Sequence, residues 1–299
     1  MEITFLGTSC MVPTKDRNAQ AIFLKYKNEG ILIDCGEGTQ RQMNIAGIKR
    51  TSITKILISH WHGDHVSGLM GLIQTLGNVE NPPTIHLYGP KGTKEHMGHL
   101  MKSCKFDARA NISIHELTPK DIHTFYEDND FKLECATLRH SIPCIGYSFI
   151  EKDIRKINMS KAKKLGLKPG PMIGKLQDGK EVNFKGNTIK PKDVSYIVKG
   201  KKASFILDTI FCTNTIKLAQ DADLLVIETC YASDLEEKAE QYKHMTTKQA
   251  AFIATKAEVK QMVCTHFSQR YKTIEPLEKD AKTYFPNSKC AFDFMKVRL

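Results

Sequence analysis

Seven consecutive residues constrain this chain more than any other stretch: Ser59-His60-Trp61-His62-Gly63-Asp64-His65 follows directly on the apolar run Lys55-Ile56-Leu57-Ile58. A short aliphatic run of this kind reads as a buried strand. Three imidazoles and a carboxylate crowded at its end would be costly to desolvate without a compensating partner. A divalent cation is such a partner, and the H-x-H-x-D-H spacing suits it. In extended backbone His60 and His62 project to the same side, because side chains alternate with a period of two, while Asp64 and His65 reach a neighbouring position. Two ions are better served than one.

The rest of the chain alternates in kind. Runs 3–6, 21–26, 31–34, 55–59, 131–138, 204–208, 224–228 and 261–265 read as strands, and 38–46, 66–76, 215–219, 246–257 and 276–284 as helices. Interspersed strands and helices give an α/β or α+β class, and the strand-rich early part favours a mixed sheet. Residues 1–299 read as a single domain with one interruption: about 151–191 the sequence turns Lys-, Gly- and Pro-rich with few residues suited to a core. That stretch is expected to be an inserted arm, since loops beyond about 15 residues without structure of their own are usually functional or disordered.

Three more polar residues stand at the ends of strand-like runs: His140 after 131–138, Asp208 closing 204–208, and His266 after 261–265. Strand ends are where sites are grafted onto a sheet. Any one alone is ordinary; beside the first cluster they become candidate ligands. His86, His96, His99, His115 and His123 lack such context and read as surface or structural.

The net charge of +11, with a pI near 9.1, steers polyanions toward the chain, and nucleic acid is the natural partner. Nine cysteines without a C-x-x-C pair argue against a secreted disulfide framework. No run approaches the roughly 18 apolar residues needed to cross a bilayer. The first residues lack a basic leader followed by an apolar segment. The expectation is a cytoplasmic protein that does not engage membranes.

H-x-H-x-D-H followed by isolated His, Asp and His resembles the ligand pattern of the metallo-β-lactamase superfamily over nearly the whole chain. The resemblance implies an αββα sandwich holding two zinc ions per subunit, with manganese or iron as substitutes. By that resemblance His60, His62 and His140 hold one ion, Asp64, His65 and His266 the other, and Asp208 bridges them.

Within the superfamily, finer motifs resemble the ribonuclease Z family. Pro13-Thr14-Lys15-Asp16-Arg17-Asn18 resembles its P-x-K-x-R-N loop, which implies RNA contacts for Lys15, Arg17 and Asn18. The arm, with Lys163, Lys164 and Lys168 before Pro169-Gly170-Pro171, is similar to the family's flexible tRNA-gripping arm, presented in a homodimer to RNA in the partner's active site. Phosphate contacts of that kind give affinity without reading bases. His266-Phe267-Ser268-Gln269-Arg270-Tyr271 matches H-F-S-x-R-Y and makes Ser268 and Arg270 candidate phosphate contacts.

The resemblance also implies a proton shuttle of His244, in a His-x-Thr element, with the strand-end Glu228, and a nucleophile-orienting Asp64. Leu207 stands where the family commonly has Gly, and Met245 where other residues are usual. The implied activity is removal of the 3′ trailer from precursor tRNA. The alternatives are another metallo-β-lactamase-type hydrolase, acting on a general phosphodiester, thioester or lactone, or a non-catalytic zinc-containing RNA-binding protein.

Overall fold

The computed structural model describes residues 1–105 and 109–299. Two seven-stranded sheets organise most of them. The first runs Lys296–Arg298, Glu2–Gly7, Ala21–Tyr26, Glu29–Ile33, Lys55–Leu57, Thr84–Pro90, Asn111–Leu117 in spatial order. Its early strands pair antiparallel and its last four pair parallel, so the sheet is mixed as expected. The second runs Ser288–Cys290, Met262–Thr265, Leu224–Glu228, Lys202–Ile206, Cys144–Glu151, Phe131–Leu138, His123–Glu127, and its first four strands are parallel neighbours.

Strands such as Leu224–Glu228 are buried at every position. A parallel strand covered on both faces needs such an unbroken apolar run. One cover is a layer of helices. Thr39–Ile45 and Leu69–Gly77 contribute Met43, Leu72 and Ile73 to a core with Leu32, Ile56 and Leu87 of the first sheet. Thr247–Lys256 and Glu275–Tyr284 contribute Ile253 and Leu277 to a core with Ile206, Leu225 and Met262 of the second. The other cover is the opposing sheet, through contacts such as Tyr26 with Phe149, ring centroids 5.1 Å apart. The architecture is an αββα sandwich.

Several elements escaped the sequence pattern. Thr84–Pro90 and Asn111–Leu117 carry His86, Ser113 and His115 among their apolar residues, which breaks the alternation that marks a strand. The helix Glu236–Tyr242 buries only Ala239 and shows no apolar stripe.

By internal contacts the chain divides into two compact units. One comprises Met1–Glu127, Leu133–Phe149 and Lys202–Leu299; the other comprises Asp128–Lys132 and Ile150–Lys201. The second unit contains the segment expected to be an arm, and it has secondary structure of its own. Ile154–Ile157 pairs antiparallel with Ser195–Val198, Val182–Phe184 forms a hairpin with Asn187–Ile189, and Met159–Lys164 and Pro171–Gln177 are helical. Ala162, Leu167, Leu176, Val182, Ile189 and Val194 make a small buried core. These residues are spaced among lysines, which is why the sequence suggested few core positions. Residues 150–201 hold fourteen Lys and Arg against five Asp and Glu, so most of the chain's net +11 belongs to this segment. Among the described residues no helix is long and apolar enough to cross a membrane.

A buried hydrogen bond joins the two sheets beside the His/Asp motif: the Tyr147 hydroxyl donates to the Ile58 carbonyl at 2.7 Å. Tyr147→Phe removes that donor, and the substitution is expected to cost about 1–3 kcal/mol, read from the midpoint of chemical denaturation. A variant as stable as the parent would show that this bond does not hold the sheets together.

Candidate metal centre

The parallel strands set the site. Glu29–Ile33 leads to Asp34, Lys55–Leu57 to His60, Lys202–Ile206 to Asp208 and Met262–Thr265 to His266, while Glu228 closes its own strand. In a sandwich whose central strands share a direction, these carboxyl ends emerge together, and groups far apart in sequence meet in one place. Phe131–Leu138 adds His140 from the same sheet.

Two triads of donors converge there. In the first, His60 Nε2 lies 3.0 Å from His62 Nδ1, which lies 3.2 Å from His140 Nε2. In the second, His65 Nε2 is 3.2 Å from His266 Nε2, and each is 3.4 Å from Asp64 Oδ2. Asp208 faces both: Oδ2 is 3.6 Å from His60 Nε2 and 3.9 Å from His140 Nε2, while Oδ1 is 3.4 Å from His65 Nε2. Nitrogen donors about 2.0–2.1 Å from a tetrahedral ion stand roughly 3.3 Å apart, close to these spacings. His60 and Asp208 are buried, and Asp208 Oδ1 lies 3.1 Å from His266 Nδ1 and 3.4 Å from His65 Nε2 without hydrogen-bond geometry to either. A buried carboxylate between converging imidazole nitrogens is the environment a cation stabilises. All seven residues expected as ligands therefore meet, and their donor set fits two divalent ions sharing Asp208.

The local electrostatics follow from the same crowding. Burial pushes the His60 pKa well below its ordinary value, and the neighbouring His65 adds to this. Burial would also lower His65 and His266, but the Asp208 carboxylate outweighs it; His65 rises well above the usual range and His266 to about 10. An imidazole must be neutral to ligate, so cation uptake here displaces protons.

Groups outside the triads orient them. Asp34, fully buried, accepts His65 Nδ1–H at 2.6 Å and both the Ser59 amide and hydroxyl at 2.7 Å. This fixes the ring so that Nε2 faces the site, as supporting carboxylates do in metal centres. The Lys243 carbonyl, 3.0 Å from His140 Nδ1, does the same for His140. The Met11 amide donates to Asp64 Oδ2 at 2.7 Å. None of these was singled out in the sequence. Asp34 had a signal, since it closes an apolar run as Asp208 and Glu228 do, but no neighbouring motif drew attention to it. The chain can bring the 34–36 and 64–68 loops this close because Gly36 and Gly68 lack side chains; a Cβ on Gly36 would sit 2.2 Å from the Asp64 carbonyl oxygen.

Beside the ligands, His244 Nδ1 lies 3.1 Å from Glu228 Oε1. Glu228 is fully buried, and its two oxygens also accept the Thr209 and Met245 amides, so it cannot swing away. Burial pushes the His244 pKa down, but Glu228 and Asp208 raise it to about 12. Thr246 is occupied as a helix cap, its hydroxyl accepting the Gln249 amide. Met245 points into the core, where its side chain is fully buried. His62, Asp64, His140, Asp208 and His244 line one open cleft of about 590 Å³.

The expected RNA contacts divide. Lys15, Lys163, Lys164, Lys168 and Arg270 are exposed, with Arg270 over the Tyr231 ring; Ser268 is half-buried. Arg17 requires correction. It is 5% exposed, and its guanidinium donates to the Tyr271 carbonyl at 2.7 Å, tying the 13–18 loop to the 266–271 turn rather than presenting a cation to solvent. Asn18 is similarly engaged, its amide on Asp293 and its side-chain nitrogen on the Glu37 carbonyl. A polar loop looks exposed in sequence; backbone carbonyls that a buried guanidinium can satisfy do not show there.

Known proteins resemble this chain along its full length. The ribonuclease Z of Methanothermobacter thermautotrophicus is 40% identical over 300 residues, covering 100% of this chain and 97% of that protein. The chain belongs to the ribonuclease Z family. The family's member in Protochlamydia amoebophila is 37% identical over 303 residues, covering 100% of this chain and 98% of its own. Among solved structures, the short form of human tRNase Z superposes with a TM-score of 0.74 at 27% identity, covering 100% of this chain and 99% of that one. The metallo-β-lactamase fold protein YhfI of Bacillus subtilis, at 16% identity and a TM-score of 0.70 over 99% of both chains, shares the fold. A family model described as "Anti-Pycsar protein Apyc1" matches residues 1–154, the half that carries His60, His62, Asp64, His65 and His140.

Asp34→Ala should leave the seven donors in place but release His65 from its orientation. The expected loss of metal affinity is about 10- to 100-fold, measured by competition with a chromophoric chelator. Unchanged affinity would remove Asp34 from the support of the centre.

Proposed function

We propose that this chain cuts precursor tRNA at the junction with its 3′ trailer, leaving a 3′-hydroxyl on the tRNA and a 5′-phosphate on the trailer. One observation carries this reading: in a member of the ribonuclease Z family, a double His/Asp centre and a carboxylate-held imidazole border the same open cleft. His60, His62 and His140 would hold one ion, Asp64, His65 and His266 another, with Asp208 shared. The donors favour zinc, with manganese or iron as substitutes. Such ions supply charge neutralisation at the phosphoryl oxygens and a water acidified to near neutrality.

The chain's own groups do the rest. Asp64, held by the Met11 amide, orients the attacking water and accepts its proton. The water oxygen joins phosphorus as the bond to the tRNA 3′ oxygen breaks. His244, held by Glu228, gives its proton to that oxygen. Arg270 and Ser268 contact the phosphate, and Lys15, Lys163, Lys164 and Lys168 the RNA. The concentration of positive charge in residues 150–201 supports a backbone-gripping role for that unit. A cytoplasmic homodimer is the assembly this reading carries with it.

The direct test is cleavage of a 3′-extended tRNA followed by end mapping. Asp64→Ala is expected to lower the rate by at least about 100-fold; near-parental cleavage would exclude its role. Glu228→Gln probes the proton carrier. The acid must be protonated to donate, so the rate falls as pH rises through the His244 pKa, and bound cations draw that pKa down from about 12. Removing the Glu228 charge lowers it further. The alkaline limb of the pH–rate profile should therefore move to lower pH by about 1 to 3 units. A lower plateau with an unmoved limb would assign Glu228 a structural role alone.

A further inference from the structure

Two large apolar side chains stand in the open on the border of the cleft. Met11 is 75% exposed and Tyr242 53%, and both line the same opening as His62, Asp64, His140 and His244. Exposed apolar residues scattered singly over a surface are ordinary. These two are held in place, one beside each triad. Met11 sits at φ 59° with its amide on Asp64 Oδ2 at 2.7 Å. That hydrogen bond needs only the amide, and glycine would present it at the same φ without the penalty that a Cβ brings. Support of Asp64 therefore does not account for the Met11 side chain. Tyr242 closes the helix Glu236–Tyr242 immediately before Lys243, whose left-handed turn at φ 60° carries its carbonyl to His140 Nδ1. Lys238, one turn earlier on that helix, places Nζ 6.0 Å from the Tyr242 ring centroid. An aromatic ring attended by a cation and a polarisable thioether thus offer two apolar surfaces to a molecule entering the cleft.

We propose that Met11 and Tyr242 are nucleobase contacts of the cleavage site, Tyr242 stacking on the last nucleotide of the tRNA and Met11 packing on the first nucleotide of the trailer. The assignment rests on the tRNA-cleaving function proposed above. A strand drawn between two triads of metal donors is pulled out of its helical stack, and the bases on either side of the cut lose their neighbours. Every base has a π face, so an aromatic or thioether partner replaces that contact without reading a hydrogen-bond pattern. Which residue meets which base follows from the chemistry. His244 gives its proton to the tRNA 3′ oxygen, so the nucleoside that bears this oxygen lies on the side of His244, which is also the side of Tyr242. Water attacks from the opposite direction, where Asp64 orients it, and Met11 shares that side with the trailer. Purines offer the larger face, so both contacts favour a purine over a pyrimidine.

The experiment is a cycle between side chain and base. Zinc-loaded parent, Met11→Ala and Tyr242→Ala are compared on 3′-extended tRNA that is intact, abasic at the last tRNA position, or abasic at the first trailer position. On intact RNA each variant is expected to lose about 5- to 150-fold in kcat/KM, the worth of one base stack. Tyr242→Phe keeps the ring and should match the parent. The loss should vanish only on the RNA that lacks the partner base: Tyr242→Ala should equal the parent on RNA abasic at the last tRNA position, and Met11→Ala on RNA abasic at the first trailer position. Equal losses on intact and abasic RNA, or no loss on intact RNA, would overturn the contact for that residue. Elemental analysis of each variant provides a second readout; zinc lost in proportion to rate would make the residue a support of the centre and overturn the proposal. Dissociation constants of the same RNAs, with the scissile linkage replaced by a methylphosphonate that resists hydrolysis, should show the same coupling. Protein that binds with this coupling yet leaves 3′-extended tRNA uncut would support the base contacts and overturn the functional reading instead.

Discussion

The Asp208 carboxylate is the group on which the rest of the site depends. It is buried, one oxygen faces His60 and His140 and the other faces His65, and four histidines hold its pKa far below the carboxylate range against a burial penalty that pushes the other way. A charge in that position is tolerable only when surrounded by positive charge. The protein supplies this as imidazolium when no cation is bound and as coordinated cation otherwise, so proton and metal compete for the same stabilising role. That competition joins the stability of the loops to the occupancy of the centre, because the donors come from strand ends that have no other reason to meet.

Holding those ends in place has a conformational cost that the sandwich offsets. Met11, Asp34, Lys243 and His266 all adopt left-handed backbone conformations, with φ of 59°, 56°, 60° and 61°. For a residue with a Cβ this costs roughly 1–2 kcal/mol. Each returns something specific: the Met11 amide reaches Asp64, the Asp34 carboxylate reaches His65 and Ser59, the Lys243 carbonyl reaches His140, and His266 turns its ring into the second triad. Strain of this sort persists where the surroundings over-determine it. Here they are two buried cores and the fully buried strands that feed the loops.

How much of this was legible in the sequence depended on whether a group announced itself locally. Lys55-Ile56-Leu57-Ile58 followed by a dense His/Asp cluster could be read directly, and strand-end His140, Asp208 and His266 could be attached to it because their runs were apolar and short. Asp34 was invisible as a functional group since its partners, Ser59 and His65, are brought to it by sheet pairing. Arg17 shows the opposite error, a cation assigned to solvent because loops are usually exposed, when uncapped carbonyls at Ser268 and Tyr271 needed its donors. In residues 150–201 the dominance of lysine obscured apolar positions that suffice for a small core.

Those lysines also distribute charge unevenly along the chain. Most of the net positive charge lies in residues 150–201, while the segments that carry the double centre hold nearly balanced charge. A strongly basic catalytic cleft would depress the pKa of any imidazole expected to carry a proton and would weaken cation binding by simple repulsion. A near-neutral cleft avoids both effects and leaves Glu228 and Asp208 to set the state of His244 from within 4 Å.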